Sequence, residues 1–269
     1  MRALLIWPLL AILALPVWAD ARMSVLVDVL KLREAAYILR AEGLAYADDL
    51  DSEMLDGQGG AGWQLQVNAI YDPERLVEEV RQALEGALQG QVLEDTIRFF
   101  ASDLGQEIVT LENSARLAIG EQDVEDAARG RYLELSETDD PRLAQVMEFA
   151  DTGDMLNRNV TSAMNSNYQF LRGLADGHAI EMTEQEILAD VAGDIDEITD
   201  DTTSWLYGYF LLAYHPLADD DLQRYIAFAN TPAGQALNRA LFEGFGKAYE
   251  DISYALGRAV ALNMLAEEL

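Results

Sequence analysis

The sequence predicts an all-α protein, a bundle of antiparallel helical hairpins. Apolar residues recur at helical spacing over nearly the whole chain, and no segment shows the sustained alternation expected of a strand. Asp72-Pro73 and Thr231-Pro232 have the order expected at a helix start, an N-cap residue followed by proline at the first helical position. We expect about 65–75% of the residues to be helical, well above the average for soluble domains.

The first residues, 1–19, are predicted to be a secretory signal peptide. Arg2 precedes an apolar run over 3–15, which is followed by Pro16 and small residues. The run is shorter than the roughly 20 apolar residues that a membrane-spanning helix needs. We expect cleavage after Ala19 or after Ala21 and no stable membrane anchor afterwards. An uncleaved anchor is the alternative.

Residues 20–71 are predicted to form an N-terminal helix followed by an acidic, Gly-rich loop. The predicted helix includes Leu26, Leu30, Arg33, Tyr37 and Leu44, and the stretch DDLDSEMLDGQGGAG over 48–62 indicates the loop.

A recurring phrase divides the rest of the chain into three helical units, which we expect to pack as one domain over 72–269. The phrases are FFASDLGQEIV at 99–109, FADTGDMLNR at 149–158 and FANTPAGQALNR at 228–239. The corresponding units are the first repeat over 72–135, a degenerate middle unit over 136–182 and a third unit over 183–269.

Each phrase predicts a joint between two helices. An aromatic residue ends the first helix, a Ser, Thr or Asp caps the second, and a glycine lies in the first turn of the second helix. Because glycine is a poor helix former, we interpret it as a point where the two helices approach closely; a flexible turn is the alternative. The residues of this structural motif are Phe99, Gly105, Phe149, Gly153, Phe228, Thr231, Pro232, Gly234 and Gln235.

The third phrase and the helix before it resemble a bacterial family called domain of unknown function 2059 (DUF2059). Members typically carry a phrase of the type F-Y-x-S/T-P-x-G-Q/R. The matching residues are Phe228, Thr231, Pro232, Gly234 and Gln235. Ala229 departs from the usual second aromatic residue. The resemblance covers 201–262, with a weaker copy over 72–120, and it implies an exported helical protein without implying an activity. The periplasmic location is expected from the predicted signal peptide.

The composition excludes several classes of function. The chain has no Cys, which rules out disulfides, thiolate metal sites and cysteine nucleophiles. Its formal net charge of −30 repels the phosphates of nucleic acids and of anionic lipids, so neither is an expected partner. We interpret this charge as a means of solubility; a cationic partner or a divalent metal is the alternative.

No catalytic residue, metal site or cofactor is predicted. His178 and His215 stand at helix breaks without the spacing of a site, and neither a G-x-S-x-G nor a G-x-x-x-x-G-K-S/T motif occurs. The acidic residues over 190–201 are interpreted as one solvated helical face, and binding of a divalent cation there is the alternative. These residues are Asp190, Asp194, Glu197 and Asp201.

The stretch WLYGYFLLAYH over 205–215 is the candidate ligand or partner surface, and a central buried helix is the structural alternative. Its candidate residues are Trp205, Tyr207, Tyr209, Phe210 and Tyr214. We expect a non-catalytic binding or protein-interaction module whose partner is a protein or an apolar ligand. A carboxylate-dependent hydrolase with a cleft between units is the alternative, and it needs two acids roughly 5–10 Å apart.

Overall fold

The structure is a computed structural model that describes residues 14–267, with side chains described over 20–265. Helix accounts for 86% of these residues and no strand occurs among them, which confirms the all-α prediction. The helices are α1 (Ala14–Val29), α2 (Leu32–Met54), α3 (Gly60–Ile70), α4 (Pro73–Ala87), α5 (Gly90–Phe100), α6 (Asp103–Ile119), α7 (Gln122–Ser136), α8 (Pro141–Thr152), α9 (Met155–Asp176), α10 (Glu184–Gly193), α11 (Ile195–Tyr214), α12 (Asp219–Ala229) and α13 (Pro232–Glu267).

The predicted signal peptide falls largely on residues 1–13, which lie outside the described part of the chain. Helix α1 begins at Ala14 and runs through both predicted cleavage positions. Within residues 14–267, none of the helices combines the length and the apolar character that crossing a membrane requires.

The prediction of an acidic loop over 48–62 is wrong for the first half of this stretch, which is helical. Helix α2 continues to Met54, a short turn follows, and α3 begins at Gly60. Ala47 and Leu50 are buried, and the Trp63 indole Nε1 donates a hydrogen bond to the Ala47 carbonyl at 3.1 Å. The helix continues because these apolar residues face the core, while the acidic side chains between them face solvent.

Two joints, α5–α6 and α12–α13, have the same local geometry. The hydroxyl oxygens of Ser102 and Thr231 accept hydrogen bonds from the backbone N–H groups of Gly105 and Gly234, both at 3.1 Å. A Cβ on Gly105 would lie 2.3 Å from the carbonyl oxygen of Phe99, and one on Gly234 would lie 2.3 Å from that of Phe228. Each of these aromatic residues is the last but one of the previous helix. This crowding agrees with the close-approach interpretation of both glycines.

Glutamine side chains tie each of these joints to a further helix. Gln106 Nε2 donates to the carbonyl oxygen of Val29 at the end of α1, and Gln235 Nε2 donates to that of Thr152 at the end of α8, both at 2.8 Å. The α5–α6 joint therefore holds the end of α1, and the α12–α13 joint holds the end of α8.

The middle phrase forms a different kind of connection, so the predicted position of Gly153 in a first helical turn is wrong. Gly153 instead ends α8, and Asp154 turns the chain in a left-handed conformation with φ of 52°. The middle phrase lacks the two residues that correspond to Pro232 and Ala233, so a capped turn has no room to form. Lys31, between α1 and α2, makes the same turn with φ of 49°.

Helix α13 is the longest helix and lies at the centre of the packing. It packs against α9 along one side and against α4 along the other, and α11 packs against α6, α7 and α9. Buried apolar residues form a continuous core from Met23 in α1 to Ala261 in α13. The helices α2, α5, α6, α9, α11, α12 and α13 do not close completely on one another, and a cavity remains between them.

Candidate functional site: a central apolar cavity with a buried carboxylate

The central cavity has a volume of about 350 Å³ and mostly apolar walls. Its aliphatic lining includes Leu30, Leu32, Leu39, Met155, Leu237 and Leu241. Small-molecule sites in proteins are concave, largely apolar and of about 300–1,000 Å³, with a few polar groups that orient the ligand. This cavity has that size and that composition.

Aromatic side chains form a second part of the wall. Trp205 and Tyr209 come from α11, and Phe242, Phe245 and Tyr249 come from α13. All five are only half-buried although the helices that carry them belong to the central packing. The rings of Trp205 and Tyr209 stack on each other, with centroids 5.3 Å apart. The cavity therefore presents a broad aromatic surface that the protein's own side chains leave partly uncovered.

Glu112 of α6 places a carboxyl group in this apolar wall. Its Oε1 accepts hydrogen bonds from the hydroxyls of Tyr214, at 2.7 Å, and Tyr225, at 3.2 Å. The Tyr209 hydroxyl donates to the Glu112 backbone carbonyl at 3.1 Å. Burial raises the pKa of Glu112 from 4.5 to about 7, because the loss of hydration outweighs the two tyrosine hydrogen bonds.

Arg116, one turn further along α6, is already engaged by a different carboxylate. Its Nε and Nη2 donate to the two carboxylate oxygens of Glu42, each at 2.7 Å. Burial disfavours its charged form, but the hydrogen bonds and the charge of Glu42 outweigh burial and raise the pKa of Arg116. The guanidinium also lies 4.9 Å from the centre of the Trp205 ring. Arg116 thus closes one side of the cavity as half of a neutral pair.

Asn113 also lines the cavity, beside Glu112 in the sequence of α6. Its side chain is buried, with 9% of the residue exposed. Its Nδ2 has no hydrogen-bond partner among the described residues. An unpaired buried donor costs about 1–3 kcal/mol.

The structure brings three of the five predicted surface residues to the cavity: Trp205, Tyr209 and Phe210. Tyr207 points elsewhere and stacks on Tyr132 at 5.2 Å, and Tyr214 is fully buried and supports Glu112. Helix α11 is therefore both a central buried helix and one wall of the cavity.

The sequence interpretation missed Glu112, Asn113 and Arg116, which supply the polar groups of the cavity. A signal for Glu112 is present in the sequence: it occupies the apolar stripe of α6 between the buried residues Ile108 and Ala115. A carboxylate at such a position needs a partner from another helix.

The residues of the predicted joint motif lie outside the cavity lining described above. Phe99 stacks on Phe228 with centroids 4.0 Å apart, so the two similar joints meet directly. Phe149 lies against Tyr225 and Tyr214, at 4.7 and 5.7 Å between centroids. These aromatic residues hold the helices that carry the partners of Glu112.

Contrary to the expectation from the sequence, the acidic residues over 190–201 do not share one helical face. Helix α10 ends at Gly193 and α11 begins at Ile195, so Asp194 marks a break between two helices. Asp201 is paired with Arg129 at 3.0 Å. No group of three or more His, Asp or Glu residues with metal-binding geometry occurs in the described part of the chain.

Comparisons with protein-family models, with curated proteins and with solved structures give no match to this chain. The resemblance to the domain of unknown function 2059 family remains a prediction from the motif at Phe228–Gln235.

Proposed function

We propose that the protein is an exported, non-catalytic binding protein whose central cavity holds a small apolar ligand. The observation that carries this proposal is the cavity, in which half-buried aromatic side chains and aliphatic side chains surround a few polar groups. Covering this surface with a ligand stabilises the complex by roughly 25 cal/mol for each Å² of apolar area removed from water.

Catalysis by a pair of carboxylates finds less support in this cavity. Glu112 is the one carboxylate among its lining residues within the described part of the chain. The nearby Glu42 is held by two hydrogen bonds to Arg116. A glycosidase-type mechanism needs one free acid and one free base on either side of the substrate.

Cation binding also finds less support. The acidic residues over 190–201 are divided between α10 and α11, and Asp201 is paired with Arg129.

Export to the periplasm is part of the proposal, with cleavage after Ala19. The side chains that join α1 to the rest of the protein begin just after this position. Arg22 Nε donates to Glu94 of α5 at 2.7 Å, and Met23 and Leu26 are buried in the core. The measurement is the intact mass of the protein recovered from the periplasmic fraction, and a mass that retains residues 1–19 contradicts this part of the proposal.

Ligand binding is tested with the neutral fluorophore N-phenyl-1-naphthylamine, whose emission rises in apolar surroundings. We expect saturable binding of one probe per chain. Leu241→Trp, which fills the cavity, should weaken probe binding by about tenfold or more, the effect of roughly 1.4 kcal/mol.

The matched control is Leu65→Trp, because Leu65 lies on α3 and is 74% exposed. It should leave probe affinity unchanged. Circular dichroism melting shows whether each variant is folded. The proposal fails if the folded wild-type protein shows no saturable binding, or if both variants weaken binding equally.

A further inference from the structure

The polar groups of the cavity specify the head group of its ligand, an inference that rests on the proposed function. We propose that the ligand has a neutral polar head, an amide or a hydroxyl on an apolar body, which accepts a hydrogen bond from Asn113 Nδ2 and donates one to Glu112 Oε2. Both of these atoms lack a hydrogen-bond partner among the described residues.

The donor is Asn113 Nδ2, which is buried and unpaired among the described residues. Other asparagines of the fold show the usual outcome: Asn159 Nδ2 donates to the Met155 carbonyl at 2.8 Å, and Asn238 Nδ2 to the Gly153 carbonyl at 2.8 Å. A buried amide that breaks this rule while lining a cavity needs an acceptor inside that cavity.

The acceptor is the second carboxylate oxygen of Glu112. Both tyrosine hydroxyls, from Tyr214 and Tyr225, donate to Oε1, and Oε2 receives no hydrogen bond from the described residues. Glu112 and Asn113 are consecutive in α6 and both line the cavity. One head group that carries both an acceptor and a donor can therefore meet both residues.

The charges around the cavity disfavour an ionic head. An anionic head group would lie beside Glu112. Among the described residues the one cation in the lining is Arg116, which is already neutralised by Glu42. The anionic head group would also enter a protein with a formal net charge of −30. Like charges are costly in a poorly hydrated site because the effective dielectric constant there is low.

A cationic head meets Glu112 favourably but leaves Asn113 without an acceptor, because an ammonium group has donors only. An amide or a hydroxyl satisfies both unpaired groups without adding a charge.

The experiment compares three ligands with the same ten-carbon chain: decanamide, decanoate and decylamine. Binding to the full-length protein is measured by calorimetry at pH 8, where Glu112, with a pKa of about 7, is mostly ionised. We expect decanamide to bind at least tenfold more tightly than either of the other two.

Two variants test the hydrogen bond from Asn113 and the charge of Glu112 separately. Asn113→Leu should weaken the binding of decanamide about tenfold more than it weakens the binding of the apolar probe N-phenyl-1-naphthylamine. Glu112→Gln removes the negative charge and should reduce the discrimination against decanoate about tenfold. The control is Asn165→Leu, because Asn165 is exposed on α9 and bonds to Glu250, outside the cavity.

The outcomes separate this inference from the proposed function. If decanoate or decylamine binds most tightly, or if all three bind equally, the assignment of the head group is wrong and the binding function stands. If neither these ligands nor the apolar probe binds to the folded protein, both proposals fail.

Discussion

Two glycines of the same helix, Gly234 and Gly246, stand in opposite surroundings. A Cβ on Gly234 would lie 2.3 Å from the Phe228 carbonyl oxygen and 2.6 Å from the Ala229 Cα, both backbone atoms of α12. A Cβ on Gly246 would meet no atom of the described residues within 4 Å, apart from its chain neighbours and the backbone of its own helix. The first glycine is therefore required by packing, and the second is an ordinary weak point of a helix.

Gly234→Ala should lower the free energy of unfolding by roughly 1–3 kcal/mol, because α12 and α13 must move apart. Gly246→Ala should raise it by about 0.5–1 kcal/mol, because alanine loses less conformational freedom on folding than glycine. Urea unfolding of both variants measures the difference. Equal effects would show that the approach of the helices at Gly234 is not tight.

Glu112 makes stability depend on pH. Because burial raises its pKa from 4.5 to about 7, the folded state holds a proton that the unfolded state releases between these pH values. The unfolded state therefore binds fewer protons in this window, and stability falls as the pH rises through it.

Glu112→Gln should flatten this decline and make the protein more stable than the wild type at pH 8. The gain is up to about 3 kcal/mol, because each pKa unit is worth about 1.4 kcal/mol. Melting temperatures at pH 5 and pH 8 test the prediction. Glu107→Gln, at an exposed position of α6, is the control and should leave the difference between the two pH values unchanged.

At the scale of elements, the crossing of α9 and α13 depends on a pair of facing glycines. A Cβ on Gly257 would lie 2.2 Å from the Phe170 carbonyl oxygen, and one on Gly173 would lie 2.4 Å from the Tyr254 carbonyl oxygen. Absence of side chains at both positions lets the two backbones touch, which orients α9 and α13 as walls of the cavity.

Gly257→Ala should destabilise the protein by roughly 1–3 kcal/mol through overpacking, and Gly173→Ala should do the same. The double variant should be destabilised by less than the sum of the two single variants, because one separation of α9 and α13 relieves both contacts. Denaturant unfolding of the single and double variants gives the coupling energy. Strict additivity would contradict a shared cause. The control is Gly130→Ala in α7, where the added Cβ meets nothing within 4 Å.

At the scale of the whole molecule, α1 is part of the core. Met23, Leu26, Val27 and Leu30 are buried, and Leu26 has no exposed surface. Residues far along the chain complete the same core, up to Ala261 in α13.

A chain that begins at Asp20 should therefore melt at the same temperature as the full-length protein. In a chain that begins at Leu32, the free energy of unfolding should fall by more than about 5 kcal/mol, which is comparable to the total stability of a typical domain. Circular dichroism melting of both chains provides the measurement. Equal melting temperatures would show that α1 contributes little to the core.

The sequence by itself determined the all-α class and several helix starts, because both depend on residues close together in the chain. Asp72 and Thr231 cap α4 and α13 as expected, since a cap needs only its own side chain and the next two or three residues. The exclusion of cysteine chemistry follows from composition alone.

Only the tertiary structure decided where the cavity lies and which polar groups it contains. Tyr214 and Tyr225 reach Glu112 from 102 and 113 residues away, and no local pattern records such a meeting. The extent of α2 and the break at Asp194 also depended on packing, because acidic residues favour loops and helices alike until a buried face selects one. The cavity exists because the helices that line it, held apart by their own contacts, do not fill the space between them.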